Sequence, residues 1–224
     1  MENDGTLRPP VDTTLLSRTR IVLVETSHPG NIGAVARAMK TMGLSRLALV
    51  NPREFPSAAA TARASGADDI LMRAICHEDL AHAIADCGMV VGTTARSRHL
   101  EWPVGTPRQL ALELSVLPDS TQCAIVFGRE QSGLSNEELA LCQRVIRIPT
   151  EETFSSLNIA HAVQICAYEL RIASPRTRDP SSHCGAESSI SALQALFSAN
   201  LRQLKIKIAP PPRVITGTDS RNGA

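Results

Sequence analysis

Residues 123–171 read CAIVFGREQSGLSNEELALCQRVIRIPTEETFSSLNIAHAVQICAYELR, and their pattern decides the fold. An unbroken apolar run, Cys123–Phe127, stops at Gly128 and is followed at once by Arg129 and Glu130. A short apolar run bounded in this way reads as a buried strand ending in a charged loop. Ser135 and Glu138 stand at capping-box spacing, so a helix starts there. A second strand is predicted over 144–148, ending at Pro149. Ser155 and Ser156 then open a last helix from about Leu157. That helix is apolar on nearly every side, which predicts burial all round. Two strand ends and one helix start therefore converge and gather Gly128, Glu130, Ile148, Ser155, Ser156 and Asn158. Open α/β sheets bind their ligands at such carboxyl ends of strands.

Upstream, residues 20–25 (RIVLVE) form a short buried strand, with a loop of Thr26, Ser27, His28, Pro29 and Gly30 behind it. Asn31 is positioned to cap the next helix. Ile32, Val35, Ala36, Met39 and Met42 recur at helical spacing, and Gly43 stops the helix. Arg37 breaks that apolar pattern within two turns of the helix start. A strand over Arg46–Val50 completes a strand–helix–strand unit, so the sheet begins parallel. Further along, the pattern predicts a helix over 58–67, a strand over 70–76 and a helix over 78–87. Leu80, Ala81, Ile84 and Ala85 face inward on the last of these. A strand over 88–92 and a helix over 108–117 follow. The expected class is α/β, a mostly parallel sheet with helices on both faces. Residues 1–18 read as a loose arm, 19–173 as the domain, and 174–189 as a linker. Residues 190–224 read as one basic amphipathic helix and a tail.

Composition narrows the function. Lys and Arg total 23 against 22 Asp and Glu, a net charge of +1 over 224 residues. That balance demands no polyanionic partner, though a local basic patch is compatible with it. Aromatics make up 3% of the chain, too few for a base-stacking platform. Six cysteines form no CxxC pair. They read as buried free thiols of a reducing cytoplasm, and no metal site is expected. The N-terminus lacks the apolar core of a signal peptide, and no apolar run reaches membrane-spanning length.

The loops contain no Walker motif, no GxGxxG turn after the first strand and no GxSxG elbow, which sets aside three common enzyme classes. His77 and His82 read as a solvated helix edge. What remains is a set of strand-end loops rich in Gly, Ser, Thr and Asn with isolated Arg and Glu. Such loops suit a neutral or zwitterionic ligand held largely by backbone groups.

Three segments carry a resemblance: ETSHPGNIGAVARAMKTMGLSRLALVNP, FGREQSGLSNEEL and SSLNIAHAVQICAYELR. Together with ARSR after the fourth strand they resemble the motifs of the SpoU/TrmH branch of the SPOUT RNA 2′-O-methyltransferases. Within it they are most similar to the enzymes that act on the tRNA anticodon loop. The match runs in order over roughly 19–173. The resemblance implies an α/β sheet tied into a C-terminal trefoil knot, against the usual rule that chains are unknotted. It also implies a homodimer whose active site borrows from the partner, and S-adenosylmethionine as methyl donor. The matching cofactor residues are Thr93, Thr94, Ala95, Gly128, Ile148, Ser155, Ser156 and Leu157.

On the acceptor side the resemblance implies Asn31, Arg37, Glu130, Ser156 and Asn158, and an RNA-facing rim of Arg18, Arg20, Arg96, Arg98, His99 and Arg129. Read from the residues alone, several of these stay open. Gly128 is equally a tight turn, Ile148 a core residue, Asn31 a helix cap, and Arg37 a salt-bridge partner of Glu130. The family proposes the motif-one arginine, here Arg37, as general base. A guanidinium barely deprotonates in proteins, so holding a phosphate and orienting the hydroxyl is the other role open to it. The expected reaction is methylation of a ribose 2′-hydroxyl, at nucleotide 32 of the tRNA anticodon loop. Another tRNA position or ribosomal RNA is the alternative, because the helical part after the domain is short. A non-catalytic RNA-binding protein is the other class.

Overall fold

A computed structural model describes residues 15–95 and 104–174. The elements in order are β1 (Thr19–Val24), α1 (Pro29–Met42), β2 (Arg46–Val50), α2 (Ala58–Ala64), α3 (Asp68–Met72), β3 (Ile75–His77) and α4 (Leu80–Ala83). They continue with β4 (Met89–Thr93), β5 (Val104–Gly105), α5 (Pro107–Ser115), β6 (Cys123–Phe127), α6 (Asn136–Ala140), β7 (Arg144–Ile146) and α7 (Ile159–Ala173). The seven strands form one sheet in the order β3-β2-β1-β6-β4-β7-β5. Every pairing is parallel.

A parallel sheet covered on both sides alternates its apolar residues between two cores. Ile21 and Leu23 of β1, with Ile125 and Phe127 of β6, face a core shared with α1, α2, α5 and α7. Val22, Val24, Ala124 and Val126 face the other, shared with Leu80 and Ala83 of α4 and Leu139 near the end of α6. Helices thus cover both faces, as the alternating pattern predicts. On the first face α2 seats directly on α1. A Cβ added to Gly33 would lie 1.9 Å from the Ala60 carbonyl oxygen, so only glycine admits this approach.

Several local readings are corrected. Residues 70–76 are not one strand: the acidic pair Asp68 and Asp69 starts α3, and only Ile75–His77 pairs with the sheet. Acidic side chains favour the first turn of a helix, which outweighed the apolar run. The helix over 78–87 shrinks to α4, capped by Asp79, with Ala81 and Ala85 exposed. The two-residue strand β5 was hidden between prolines. Helix α7 is not buried all round; Tyr168 and Ile172 are each 51% exposed, and the buried residues form one stripe.

The loose arm ends earlier than residue 18. Leu15 and Leu16 are buried, and so is Arg18. The Arg18 guanidinium donates to the carbonyls of Leu114 (2.6 Å), Thr121 (3.2 Å), Leu117 and Pro118 (both 3.3 Å), at and beyond the end of α5. Residues 1–14, the linker after Ser174 and the C-terminal helix lie outside the described residues.

Candidate active site

The carboxyl ends of β4, β6 and β7 border a cavity of about 280 Å³. Thr93, Thr94 and Ala95 follow β4, Gly128 to Leu134 follow β6, and Ile148 and Thr150 follow β7; Ser155, Ser156 and Leu157 close it just before α7. All eight residues expected to hold a cofactor line this one space. The strand ends are tied to each other: Thr94 N–H donates to the Ile146 carbonyl at 3.0 Å and the Thr93 hydroxyl to that of Val126 at 3.0 Å.

Gly128 is required by its own loop. An added Cβ would lie 2.2 Å from the Gly133 carbonyl carbon and 2.3 Å from the Leu134 nitrogen. The loop folds back on itself, with the Gly133 N–H donating to the Arg129 carbonyl at 2.9 Å. Arg129, expected on the RNA rim, is already engaged within the chain. Its guanidinium lies between two carboxylates, donating to Glu25 (Nε to Oε2, 2.8 Å) and Glu138 (Nη1 to Oε2, 3.0 Å). Glu138 also completes the capping box with Ser135. Arg129 is therefore a clasp joining the end of β1, the loop after β6 and the start of α6. The bond from Arg129 holds the Glu25 carboxyl below its ordinary value.

A second space, about 690 Å³, opens between α1, α2 and α7. Arg37 lines it, along with His28, Asn31, Thr41, Arg63, Ser65, Asn158, His161 and Gln164. A row of hydrogen bonds separates the two spaces. Asn158 Nδ2 donates to Asn31 Oδ1 at 3.2 Å, and Asn31 Nδ2 donates to Glu130 Oε1 at 3.1 Å. Glu130 also accepts from the Ser27 N–H (3.2 Å) and hydroxyl (3.1 Å). Burial pushes the Glu130 carboxyl up, but the bonds from Asn31 and Ser27 outweigh it and hold the group below its ordinary value. Glu130 is thus a committed carboxylate and a weak base.

The expected acceptor-side residues therefore divide. Asn31 and Asn158 line the second space, Glu130 and Ser156 the first, and the hydrogen-bond row joins them. Arg37 lies six residues from Asn31, about 9 Å along α1 at 1.5 Å per residue, and does not line the space of Gly128 and Ser156. The Arg37–Glu130 ion pair left open as an alternative is not formed; Ser27 and Asn31 occupy the carboxylate instead. Arg37 is exposed and makes no ion pair with a described residue. Asn31 does not cap α1. His28 does, its Nδ1 accepting from the Gly30 N–H at 3.1 Å, with Pro29 in the first turn. Asn158 caps α7, accepting from the Ala160 N–H at 2.9 Å.

On the expected rim, Arg18 is buried and Arg20 is engaged, its guanidinium bidentate to Asp86 (2.7 and 2.8 Å) at the opposite end of the sheet. Arg96, Arg98 and His99 lie outside the described residues. Sequence reasoning missed His28, Arg63, His161 and Gln164. A signal existed for two of them: Asn158, His161 and Gln164 recur every third residue on an otherwise apolar helix, which places them on one face.

A model of the SpoU rRNA Methylase family matches residues 18–168, from the entry of β1 to the last turns of α7. The chain belongs to the SpoU rRNA methylase family. This family member is 52% identical over 160 residues to the tRNA (cytidine/uridine/adenosine-2′-O-)-methyltransferase TrmJ of Pseudomonas aeruginosa (strain UCBPP-PA14). The matched stretch covers 71% of this chain and 62% of that relative, so the SpoU chain described here spans less than two-thirds of its length. Among solved structures it is similar to a probable methylase family protein from Haemophilus influenzae Rd KW20. That likeness has a TM-score of 0.69 and 41% identity, over 84% of this chain and 78% of that one. TrmJ from Z. mobilis ZM4 matches with a TM-score of 0.67 and 37% identity, over 84% and 83%.

Among the described residues no group of His, Cys, Asp and Glu is arranged to hold a metal ion. Cys123, Cys142 and Cys166 are buried free thiols, as expected, while Cys76 is exposed on the edge strand β3. No described helix is long and apolar enough to cross a membrane.

Proposed function

We propose that this chain transfers a methyl group from S-adenosylmethionine to a ribose 2′-hydroxyl of tRNA, at nucleotide 32 of the anticodon loop. One observation carries the reading: a strand-end cavity walled by backbone, Ser and Thr lies one hydrogen-bond row away from a cleft bearing Arg37, which makes no ion pair among the described residues. The cavity suits the cofactor in kind. Ile148 and Leu157 offer apolar faces to a purine, and Thr93, Ser155 and Ser156 offer hydroxyls. Its volume is near the lower end of small-molecule sites, about 300–1,000 Å³. The TrmJ likeness supports tRNA, and its name supports pyrimidine ribose among the acceptors.

When bound, S-adenosylmethionine supplies an electrophilic methyl on a sulfonium. The residues of this chain supply position and charge. Arg37 holds a phosphate of the acceptor strand, since its guanidinium does not serve as a base at neutral pH. Glu130 stays anionic and fixes Asn31, which fixes Asn158 at the head of α7. Ser156 lines the cofactor cavity just before α7. Alignment of the 2′-oxygen with the methyl provides most of the rate.

A homodimer belongs to this reading. Arg37 and Ser156 line different spaces within one chain, and a two-fold pair would let each copy's arginine face the other's cofactor. A trefoil knot does too: β7 lies between β4 and β5, and α7 returns beneath α1 and α5. The second reading is ribosomal RNA or another tRNA position, favoured by the family's description as rRNA methylases. Ribose-methylation maps of tRNA and rRNA from cells with and without the protein test both. Loss at tRNA nucleotide 32 supports the first, and loss elsewhere the second. Unchanged maps, with no calorimetric binding of S-adenosylmethionine, would sink the enzyme and leave the non-catalytic RNA-binding protein. A cytoplasmic location goes with this reading of a tRNA substrate.

A further inference from the structure

The cleft between α1, α2 and α7 holds a second arginine with no ion pair among the described residues. Arg63 sits on the last turn of α2, and its stem crosses the start of α1, where a Cβ on Gly30 would lie 3.4 Å from Arg63 Cγ. The close seating of Ala60 on Gly33, one turn earlier in α2, brings it there. The cleft is walled by Arg37, Arg63, His28 and His161, and among the described residues no Asp or Glu lines it. Arg20, Arg46, Arg73, Arg108, Arg129 and Arg144 each meet a carboxylate; Arg53 and Arg147 meet none among the described residues, but neither lines this cleft. Arg37 and Arg63 have none among the described residues. His28 adds a donor, because its Nδ1 accepts from the Gly30 N–H, which leaves the neutral ring's proton on Nε2.

We infer that Arg63 and Arg37 together form a two-guanidinium site for a backbone phosphate of the RNA substrate, with Arg63 a positioning residue for the acceptor strand. The inference rests on the RNA methyltransferase reading. Forked guanidiniums recognise phosphate oxygens through paired N–H donors, and a wall with no carboxylate leaves that charge for the ligand. Phosphate contacts set register and carry no sequence information. Arg63 therefore acts on affinity and alignment rather than on the choice of base. Because Asn31 and Asn158 line the same cleft, a phosphate held there sets its own strand against the hydrogen-bond row that borders the cofactor cavity.

The test uses the full-length protein and an unmodified tRNA transcript. Arg63→Met keeps the stem over Gly30 and removes the charge, while Arg63→Lys keeps the charge without the fork. Affinity is measured across about 50–200 mM salt, the range in which counterion release is readable. Arg63→Met should bind tRNA roughly tenfold more weakly, with a log–log salt slope shallower by about one. Arg63→Lys should recover the wild-type slope. S-adenosylmethionine affinity and sedimentation should match wild type in both. A wild-type slope in Arg63→Met, in a protein that still methylates RNA, overturns the phosphate site and leaves the enzyme reading intact. Altered sedimentation with an unchanged slope overturns it in favour of an interface between copies. A wild-type protein that neither binds nor methylates tRNA or rRNA sinks the underlying reading, and this inference with it.

Discussion

The two spaces on either side of the Asn158–Asn31–Glu130 row are built from opposite materials. The cavity after β4, β6 and β7 is walled by loop backbone, hydroxyls and a few apolar side chains, and its nearest cation, Arg129, is locked between Glu25 and Glu138. The cleft on α1, α2 and α7 is walled by helix side chains that include two guanidiniums with no carboxylate partner among the described residues. Loop backbone provides shape and directional donors for a small, fixed ligand. Long cationic side chains provide charge for a polymer that arrives from solvent. The difference teaches that one site is specified by where the chain can bend, and the other by which residues a helix face carries.

That contrast can be broken by separating the two functions. Arg37→Ala should lower kcat by about 10²- to 10³-fold while leaving calorimetric S-adenosylmethionine affinity within error. A parallel loss of cofactor affinity would merge the two spaces into one. Gly128→Ala should do the converse and act first on the cofactor. Its Cβ meets loop backbone at 2.2 Å, so the loop must shift. We expect about 100-fold weaker cofactor binding and roughly 1–3 kcal/mol of lost stability in denaturant titrations.

Asn158→Ala cuts the row between the spaces and removes the α7 cap. The cap alone is worth about 1 kcal/mol, and steady-state assays should show KM for RNA and kcat moving together.

The smallest effect is acid-dependent. Glu130 has its folded pKa lowered from 4.5, so its carboxylate form stabilises the fold. That contribution is present above about pH 4.5 and is lost as pH falls through the folded value. Glu130→Gln removes the titration. The gap between melting temperatures at about pH 7 and pH 3.5 should narrow, by the equivalent of under about 1 kcal/mol for a partly exposed group.

Strands β1, β2, β4 and β6 were legible because each is an apolar run with an abrupt end, whereas the exposed β3 and the two-residue β5 carry no such run. Parallel topology gathers strand ends. That gathering gives Gly128, Ile148, Ser155 and Ser156 of the eight cofactor-side positions; Thr93, Thr94, Ala95 and Leu157 came from the family resemblance. What the sequence could not reveal was the allegiance of each charged side chain. Arg18 and Arg129 look like surface cations in a string of letters, yet one is buried among carbonyls and the other is clasped by two glutamates. The reverse error hid Arg63, whose place depends on α2 meeting α1 at Gly33, about thirty positions away along the chain. Residues 70–76 failed for a local reason: ILMRAIC satisfies a strand pattern, but Asp68 and Asp69 before it start a helix.

Arg18 sets a practical boundary for anyone trimming or tagging this protein. Its single side chain fastens the lead-in of β1 to four carbonyls around the exit of α5, close to a hundred residues downstream. A shortened version must begin ahead of Leu15. A fluorescent or affinity label grafted between Leu15 and Thr19 would unhook the far side of the molecule before it disturbed the place where it was attached.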